Sequence, residues 1–457
     1  MRRLVVATLA AAALAGCAAD GGGFALEPPA TTRSGPAAVP HPVRDTDWPT
    51  YHHDNARTGV APGLAAPGPL SQAWSARLDG AVYGQPLVLG ETVIAATEND
   101  TVYALAAADG HVLWSRHLGS PQPLAGLPCG DIDPLGITGT PAYDPATGLV
   151  FVVAELTGGA HLLAGLDLAT GDVALSRPVE PPRGTPSAHQ QRAALTVLGG
   201  SVYLAYGGLY GDCGDYVGSV VAAPTTGLGP LRSYAVPTAR EGGIWAPGGA
   251  SVAAGKLYFA VGNGESTSTS AYDHSDSILA LSPELALLDA FSPAEWADDN
   301  AHDRDLGSMG PVVVGGHVYA DGKRGIGYVL DATHLGGVGG QLSAQPVCAA
   351  YGGGSVDDGR MYLPCRDGTR AVDLDPAGRL TVRWRAPVPA DGSPTVGGGA
   401  VWTVDTRAGV LYALDAATGA VRGRLPVGAV PHFASPSLSG VRAYLGTMSG
   451  VVAVAGA

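Results

Sequence analysis

The sequence predicts an all-β fold, an eight-bladed β-propeller, and three observations lead to this prediction. A unit of alternating apolar residues punctuated by glycine recurs along the chain, at a spacing of roughly forty to sixty residues. Glycine and proline are abundant, with 68 and 36 residues, while only 14% of residues are charged, which suits short strands joined by tight turns. An unassigned apolar strand precedes the first unit and can complete the last one.

The first repeat illustrates the unit. Its four apolar segments and one glycine turn lie at residues 85–88, 92–95, 102–105, 109–110 and 113–114. Alternation with a period of two, together with β-branched and aromatic residues, marks each apolar segment as a strand. The remaining copies begin near residues 140, 193, 249, 310, 353, 393 and 435. Counting all copies gives eight blades.

The ends of the repeat region predict how the ring closes. The last repeat stops at Val454 after only three strands. Residues 72–75 lie ahead of the first repeat and contain Trp74, which corresponds to the tryptophan that ends a blade. We expect this N-terminal strand to complete the last blade, because closure removes exposed sheet edges. A seven-bladed ring is the alternative, if one degenerate repeat is an insertion.

The N-terminal segment predicts export and attachment to lipid. Two arginines precede an apolar run, residues 4–14, which is too short to span a bilayer. The run leads into Leu-Ala-Gly and then Cys17, the pattern of a bacterial lipobox. A plain signal peptide with an incidental cysteine is the alternative. Acyl chains on Cys17 would anchor the protein to the outer face of a bacterial membrane.

These signals divide the chain into three parts. Residues 1–16 form the predicted lipoprotein signal peptide, and residues 17–44, rich in Ala, Gly, Pro and Thr, form a flexible tether. Residues 45–457 form the predicted propeller. The net charge of −14 argues against a nucleic-acid partner, since phosphate binding needs clustered Lys and Arg. We expect a monomer.

The cysteines fit an oxidising compartment. Once Cys17 is assigned to lipid, four cysteines remain and allow three pairings. Cys348 and Cys365 fall on what we interpret as neighbouring strands of one blade, and Cys129 would then join Cys213 across two long loops. Buried free thiols are the alternative. A structural zinc site is excluded by the lack of a CxxC motif.

Two motifs resemble a known family. Residues 413–419, ALDAATG, resemble the signature of pyrroloquinoline-quinone (PQQ) repeats, in which a tryptophan docks between blades and an Asp-Thr-Gly group makes a turn. Residues 47–51, DWPTY, resemble the opening of quinoprotein propellers. The resemblance extends from Asp47 to the C-terminus and implies the propeller fold. It does not define a chemistry, because similar repeats build enzymes and inert scaffolds.

A stricter resemblance, to quinoprotein alcohol and sugar dehydrogenases, implies two residues that would hold a cofactor. Trp245, in GGIW, would form the floor beneath the PQQ ring, since a broad indole stacks on a planar quinone. Asn263 lies in a segment similar to the family's G-N-x-P and would ligate Ca²⁺ through its amide oxygen. The alternatives are a core tryptophan and an asparagine in a glycine-rich turn.

The same resemblance implies two residues that would act in the reaction. Asp303, in HDRDL, would be the general base that removes the substrate hydroxyl proton. Lys323 would contact the ortho-quinone oxygens and stabilise the negative charge that develops on reduction. The alternatives are a solvated acidic loop and a solvated lysine.

The sequence also departs from the dehydrogenases. Adjacent cysteines are absent, and Leu135 stands where an arginine usually holds a PQQ carboxylate. The calcium-binding glutamate has no clear counterpart, with Asp212 and Glu155 as the only candidates. A C-x-x-C-H haem motif is also absent, so electrons would need an external acceptor.

These departures leave two hypotheses. The first is a lipid-anchored binding or scaffold module without a cofactor, whose channel would hold a protein, peptide, glycan or small molecule. The second is a PQQ- and Ca²⁺-dependent dehydrogenase that oxidises an alcohol or a sugar. His189, Arg192 and His432, at the starts of repeats, would face the channel in either case. The sequence leaves open whether the protein is an enzyme.

Overall fold

The protein is an eight-bladed β-propeller in the computed structural model, which describes residues 31–32 and 40–456. The predicted signal peptide, Cys17 and most of the predicted tether lie outside these residues. Eight sheets follow one another in chain order, and the first strand of a blade contacts the first strands of its neighbours around a central axis. The predicted fold class and blade count are confirmed. None of the helices in the described part of the chain is long and apolar enough to cross a membrane.

The first four blades follow the predicted repeats. Blade 1 contains Leu87–Leu89, Thr92–Ala96, Thr101–Ala106 and Val112–His117. Blade 2 contains Ala142–Asp144, Leu149–Leu156, Ala160–Asp167 and Val173–Pro178, with Thr31–Thr32 paired to its outer strand. Blade 3 contains Thr196–Leu198, Ser201–Gly208, Ser219–Pro224 and Arg232–Ala235, with His189–Gln190 beside the second strand. Blade 4 contains Ser251–Ala253, Lys256–Val261, Ser277–Leu281 and Leu287–Ser292, followed by Gly337–Val338 in parallel.

The last four blades complete the ring. Blade 5 contains Val312–Val314, His317–Ala320, Ile326–Asp331 and Ser343–Pro346. Blade 6 contains Ser355–Asp357, Arg360–Leu363, Arg370–Leu374 and Leu380–Arg385. Blade 7 contains Thr395–Gly397, Ala400–Asp405, Val410–Asp415 and Val421–Pro426, with Val60–Ala61 parallel to its first strand. Blade 8 contains Ser437–Ser439, Arg442–Thr447, Gly450–Ala455 and the N-terminal strand Ser71–Arg77. The short helices in the connections are Leu124–Gly126, Pro186–Ala188, Trp296–Ala301 and Leu306–Ser308.

The ring closes as predicted. The N-terminal strand Ser71–Arg77 pairs antiparallel with Gly450–Ala455 and becomes the outer strand of blade 8. Joining the first and last strands in one sheet gives blade 8 its fourth strand and covers the edge of Gly450–Ala455. The buried strands of blades 7, 8 and 1 then pack into one continuous apolar cluster.

Tryptophans connect neighbouring blades. Trp74, Trp114 and Trp384 each lie on the outer strand of one blade, and each indole N–H donates to a carbonyl of the next blade at 3.0 Å. The ring of Trp74 covers Gly110, where an added Cβ would lie 2.5 Å from the indole. A glycine at φ +77° is therefore required here both by the backbone and by the close approach of the ring.

The segment before the first blade closes one end of the channel, where the first and second strands of each blade turn. It exchanges backbone hydrogen bonds with the first strands of five blades, at Val88, Tyr143, Val252, Val356 and Val396. Arg57 anchors it from a buried position, and its guanidinium donates to the carbonyls of Ala250 and Tyr51 and to the hydroxyl of Thr196. The other end of the channel carries the longer loops and the candidate site.

Two disulfides hold the loop end. Cys129 pairs with Cys213, and Cys348 pairs with Cys365, with Cα–Cα distances of 6.2 and 5.7 Å. This is the pairing that the sequence favoured. The interpretation that Cys348 and Cys365 lie within neighbouring strands was wrong, because both lie in segments that flank the first two strands of blade 6. A disulfide there restrains connections rather than the sheet itself.

Candidate functional site

The four residues implied by the dehydrogenase resemblance all lie at the loop end of the channel. Trp245 is in the connection from blade 3 to blade 4, and Asn263 follows the second strand of blade 4. Asp303 is in the connection from blade 4 to blade 5, and Lys323 follows the second strand of blade 5. Because second strands and outer strands both end at this side of the ring, residues far apart in sequence reach the same place.

The structure brings the four residues together around a fifth, Asp305. The Lys323 ammonium lies 2.7 Å from Asp305 Oδ2 and 2.5 Å from Asp303 Oδ1. The backbone N–H of Asn263 donates to Asp305 Oδ1 at 2.6 Å, and Lys323 Nζ lies 5.9 Å from the centre of the Trp245 ring. We call these five residues the Lys323 cluster.

The members of the Lys323 cluster differ in exposure. Asp305 is buried, whereas 64% of the Asp303 side chain is exposed, so the cluster runs from the interior to the surface. Asp303 has φ +51°, in the left-handed region that aspartate tolerates better than most residues. This conformation turns the Asp303 carboxylate toward Lys323, where it accepts a hydrogen bond.

Charge and burial compete inside the cluster. Burial alone would lower the pKa of Lys323, but the charges of Asp305 and Asp303 outweigh it and raise that pKa above its usual value. Burial raises the pKa of Asp305, against the opposing effect of Lys323. Behind them lies Asp276, whose pKa is raised well above normal by burial and by the Asp305 charge. Asp276 is therefore harder to ionise than an ordinary aspartate.

A second ion-pair network supports the same loops. Arg324, next to Lys323, donates to Asp299 at 2.7 Å and to Asp298 at 2.9 Å. Arg304 also donates to Asp298, at 2.7 Å. These contacts connect the short helix Trp296–Ala301 to the blade 5 loop, so both segments that present the Lys323 cluster are fixed by charge-assisted hydrogen bonds.

The residues of the cluster do not fit a calcium ion at the predicted position. In the orientation that satisfies its hydrogen bonds, Asn263 points its amide nitrogen, not its oxygen, at Asp305. The Lys323 ammonium already supplies the cation between the two carboxylates. Among residues 40–456, no three His, Cys, Asp or Glu side chains are placed to hold a metal ion.

The two alternative calcium ligands lie outside the cluster. The Asp212 carboxylate is exposed and accepts a hydrogen bond from Tyr216 at 2.6 Å. Glu155 is buried in blade 2, where it accepts from the backbone N–H of Gln191 at 2.6 Å. Neither carboxylate contacts Asn263, so neither completes a ligand set with it.

The channel axis beside the cluster is filled by protein side chains. The Arg192 guanidinium lies 4.8 Å from the centre of the Phe433 ring and 5.7 Å from that of Tyr83. Phe433 in turn lies 6.2 Å from Trp245, ring centre to ring centre, and is stacked with Tyr351 at 6.4 Å. The indole of Trp245 therefore contacts this axial stack as well as Lys323.

The space left on the axis is small. The cavity beneath Arg192 and Phe433, with Tyr51 at its floor, measures about 10 Å³, enough for about one water molecule. The His189 ring is engaged within its own loop, because its Nδ1 lies 2.8 Å from the Thr185 carbonyl oxygen. It is therefore not available to a ligand in this cavity.

The arrangement combines charged and aromatic groups at the loop end. It presents a paired ammonium and carboxylate, a half-buried indole and a guanidinium stacked between aromatic rings at the open end of a rigid ring. Such groups provide hydrogen bonds, charge and an aromatic surface to a ligand that approaches from the loop end.

Sequence reasoning missed the central member of the cluster. Asp305 lies two residues after Asp303 in the same motif, so the motif held the signal, but only the fold shows which carboxylate is buried beside Lys323. Phe433 and Tyr83 were also missed. Phe433 follows His432 at the start of a repeat, a position that the propeller fold directs to the axis.

The comparisons with known proteins agree with this fold. The family model described as outer membrane protein assembly factor BamB matches residues 71–208. No curated protein sequence matches the chain significantly.

Three solved structures show the range of similar proteins. Quinohemoprotein alcohol dehydrogenase ADHIIG from Pseudomonas putida HK5 is 16% identical, with a TM-score of 0.71 over 92% of this chain and 83% of that chain. A europium-containing methanol dehydrogenase is 15% identical, with a TM-score of 0.68 over 90% and 98%. BamB from Moraxella catarrhalis is 17% identical, with a TM-score of 0.57 over 85% and 97%. At these identities the likeness concerns the fold.

Dehydrogenases and an assembly factor thus share this architecture, and the family match covers the closing strand of blade 8, blades 1 and 2 and the first half of blade 3. The repeats found in the sequence, the eight sheets and these likenesses agree with one another. The chain is therefore an eight-bladed β-propeller, and part of it matches the PQQ-repeat family model.

Proposed function

We propose that this protein is a binding or scaffold module of the bacterial cell envelope that works without a cofactor. Its loop end would hold a protein, peptide, glycan or small molecule, and the protein would act as a monomer with no nucleic-acid partner. The observation that carries the proposal is the Lys323 cluster, in which the Lys323 ammonium is already paired with Asp303 and Asp305.

The packing of the axis supports the same proposal. Arg192, Phe433 and Tyr83 fill the channel beside Trp245 and leave a cavity of about 10 Å³. Burying a planar cofactor over Trp245 would require this stack to separate and the Lys323 ion pairs to break. The ion pairs involve a buried carboxylate, so breaking them carries a large desolvation cost.

Membrane attachment is part of the proposal. It is supported by the lipobox-like pattern before Cys17 and by the match to a family described as an outer membrane protein assembly factor. The protein would lie on the outer face of a bacterial membrane, held by acyl chains on Cys17. A Cys17→Ser variant should then move from the membrane fraction to the soluble fraction. Equal partitioning of both proteins would contradict lipid attachment.

The alternative function is a PQQ- and Ca²⁺-dependent dehydrogenase that oxidises an alcohol or a sugar. It is favoured by one observation, the convergence of Trp245, Asn263, Asp303 and Lys323 at one place. It requires Asn263 to turn its oxygen to a metal and Lys323 to release a carboxylate. The proposal and this alternative therefore predict opposite responses to PQQ.

A cofactor titration separates the two functions. The full-length protein in mild detergent is titrated with PQQ in the presence of Ca²⁺ while tryptophan fluorescence is followed. We expect no saturable quenching that depends on Trp245, and no reduction of an electron-accepting dye with a panel of alcohols and sugars. The matched control is Trp245→Phe, which should give the same titration curve as the unmodified protein. Saturable quenching that disappears in Trp245→Phe, with dye reduction, would establish the dehydrogenase instead.

A further inference from the structure

A second cavity lies at the loop end, away from the Lys323 cluster. It measures about 530 Å³ and opens between the loops of blades 5, 6 and 7. Its lining consists of three arginines, one aspartate and three small or apolar residues, namely Arg366, Arg370, Arg407, Asp367, Cys348, Ala349 and Pro389. The volume is in the range of small-molecule sites.

The charges in this cavity are not balanced. The Asp367 carboxylate is engaged by Arg370, whose guanidinium NH2 group lies 2.9 and 2.7 Å from its two oxygens. Arg366 and Arg407 are exposed, and within the described residues neither guanidinium has a hydrogen-bond or ion-pair partner. Two positive charges at the cavity therefore have no ion-pair partner within the described residues, in a chain whose net charge is −14.

The cavity wall is built from fixed elements. Arg370 is 5% exposed and begins the third strand of blade 6, and its Nε group has no hydrogen-bond partner within the described part of the chain. The disulfide between Cys348 and Cys365 joins the wall to the segment that carries Arg366. The Arg366 backbone N–H also donates to the Ala349 carbonyl at 2.9 Å. The arginines are thus presented from a restrained backbone, which lowers the entropy lost on binding.

We propose that this cavity binds a small oxyanion that carries at least two negative charges, either a polycarboxylate or a phosphate. Planar guanidinium groups bind carboxylate and phosphate oxygens with paired hydrogen bonds, and two uncompensated arginines suit a ligand with two charges. The site deepens the proposed binding function and rests on it. Its residues are different from Trp245 and Lys323, so the cofactor titration and the test below can fail separately.

The test is calorimetric titration of the full-length protein in mild detergent at low salt, with citrate and inorganic phosphate as probes. The variant is Arg366→Gln combined with Arg407→Gln, both at exposed positions that the fold does not need. The matched control is Arg379→Gln, an exposed arginine of the same blade in the turn between its third and fourth strands, at the opposite end of the ring. Thermal unfolding of all three proteins checks that the fold is retained.

We expect saturable binding of at least one probe, weakened at least about tenfold in the double variant and unchanged in Arg379→Gln, because each lost charge-assisted hydrogen bond weakens binding severalfold or more. Binding of citrate alone identifies a polycarboxylate ligand, and binding of phosphate alone identifies a phosphate ligand. The proposal is overturned if neither probe binds at about 1 mM. It is also overturned if Arg379→Gln weakens binding as much as the double variant.

Discussion

At the scale of single residues, the most informative contact is between Lys323 and the buried Asp305, at 2.7 Å. Removing one partner of a buried ion pair lowers the stability of the fold much more than replacing both partners, because it leaves a buried charge unpaired. The two side chains therefore depend on each other. Asp303 shares the same ammonium but is mostly exposed, and its charge can be solvated when the lysine is lost. The three residues therefore differ in what their removal does.

This difference gives a prediction for unfolding in denaturant. Lys323→Met should lower the free energy of unfolding by about 2–4 kcal/mol, since Asp305 is left buried without its partner. Adding Asp305→Asn to that variant should restore most of the loss, because the buried charge is then removed as well. Asp303→Asn is the control and should cost less than about 1 kcal/mol. Additive losses in the double variant would contradict a coupled pair.

The sequence could predict which residues gather, but not how they pair. Four residues of the cluster lie in motifs that are long enough to be recognised in the sequence, namely Trp245, Asn263, Asp303 and Lys323. The fold then places them together. The central position of Asp305 arises because three loops from two blades come into contact, and no local sequence pattern predicts such a contact. The orientation of the Asn263 amide depends on the same carboxylate, so it could not be predicted from the local sequence.

At the scale of elements, the blades are joined by tryptophans that pack on glycines of the next blade. Trp74 on the N-terminal strand covers Gly110 in blade 1, so this contact joins the closed blade 8 to its neighbour. Strands and turns of this kind carry strong local signals, which is why the repeats could be placed from sequence. The position of the channel-closing segment could not be predicted, because it depends on hydrogen bonds to the first strands of five different blades.

The docking contact can be tested with two alanine variants. Gly110→Ala should destabilise the protein by about 2–4 kcal/mol, from strain at φ +77° together with displacement of the Trp74 ring. Gly440→Ala is the matched control, because Gly440 has φ +65° and no atom within 4 Å of an added Cβ, so only about 1 kcal/mol of backbone strain applies. Equal decreases in melting temperature in the two variants would show that the packing of Trp74 does not depend on Gly110.

At the scale of the whole molecule, buried acids lie where blades 1, 2 and 3 meet. Glu98 in blade 1 accepts from Gly136 N–H in the next connection, and Glu155 in blade 2 accepts from Gln191 N–H. Burial raises the pKa of Glu98 to about 7, and burial with the Glu98 charge raises the pKa of Asp100 to about 8. Both carboxylates lie between neighbouring blades, so their ionisation affects the stability of the packing between those blades.

These shifts determine the sign of a pH dependence. A carboxyl whose folded pKa is raised binds its proton more tightly in the native state, so its stabilising effect is complete below the unfolded pKa near 4 and is lost as the pH rises through the folded pKa. The melting temperature should therefore fall as the pH rises from about 5 to about 8 and level off above that, once both carboxyls are ionised in the folded and unfolded states. Glu98→Gln should flatten this fall, while Glu91→Gln, an exposed control in the same blade, should not. A melting temperature that rises across this window would contradict the assignment.

In a module that works without a cofactor, the Lys323 cluster stays intact even when a quinone and a metal ion are supplied. A crystal structure of the protein grown with PQQ and Ca²⁺ distinguishes this module from a dehydrogenase. We expect Lys323 Nζ within hydrogen-bond distance of both Asp303 and Asp305, with no quinone over Trp245. Density for a planar quinone on the Trp245 indole, with a metal ion at the amide oxygen of Asn263, would contradict it.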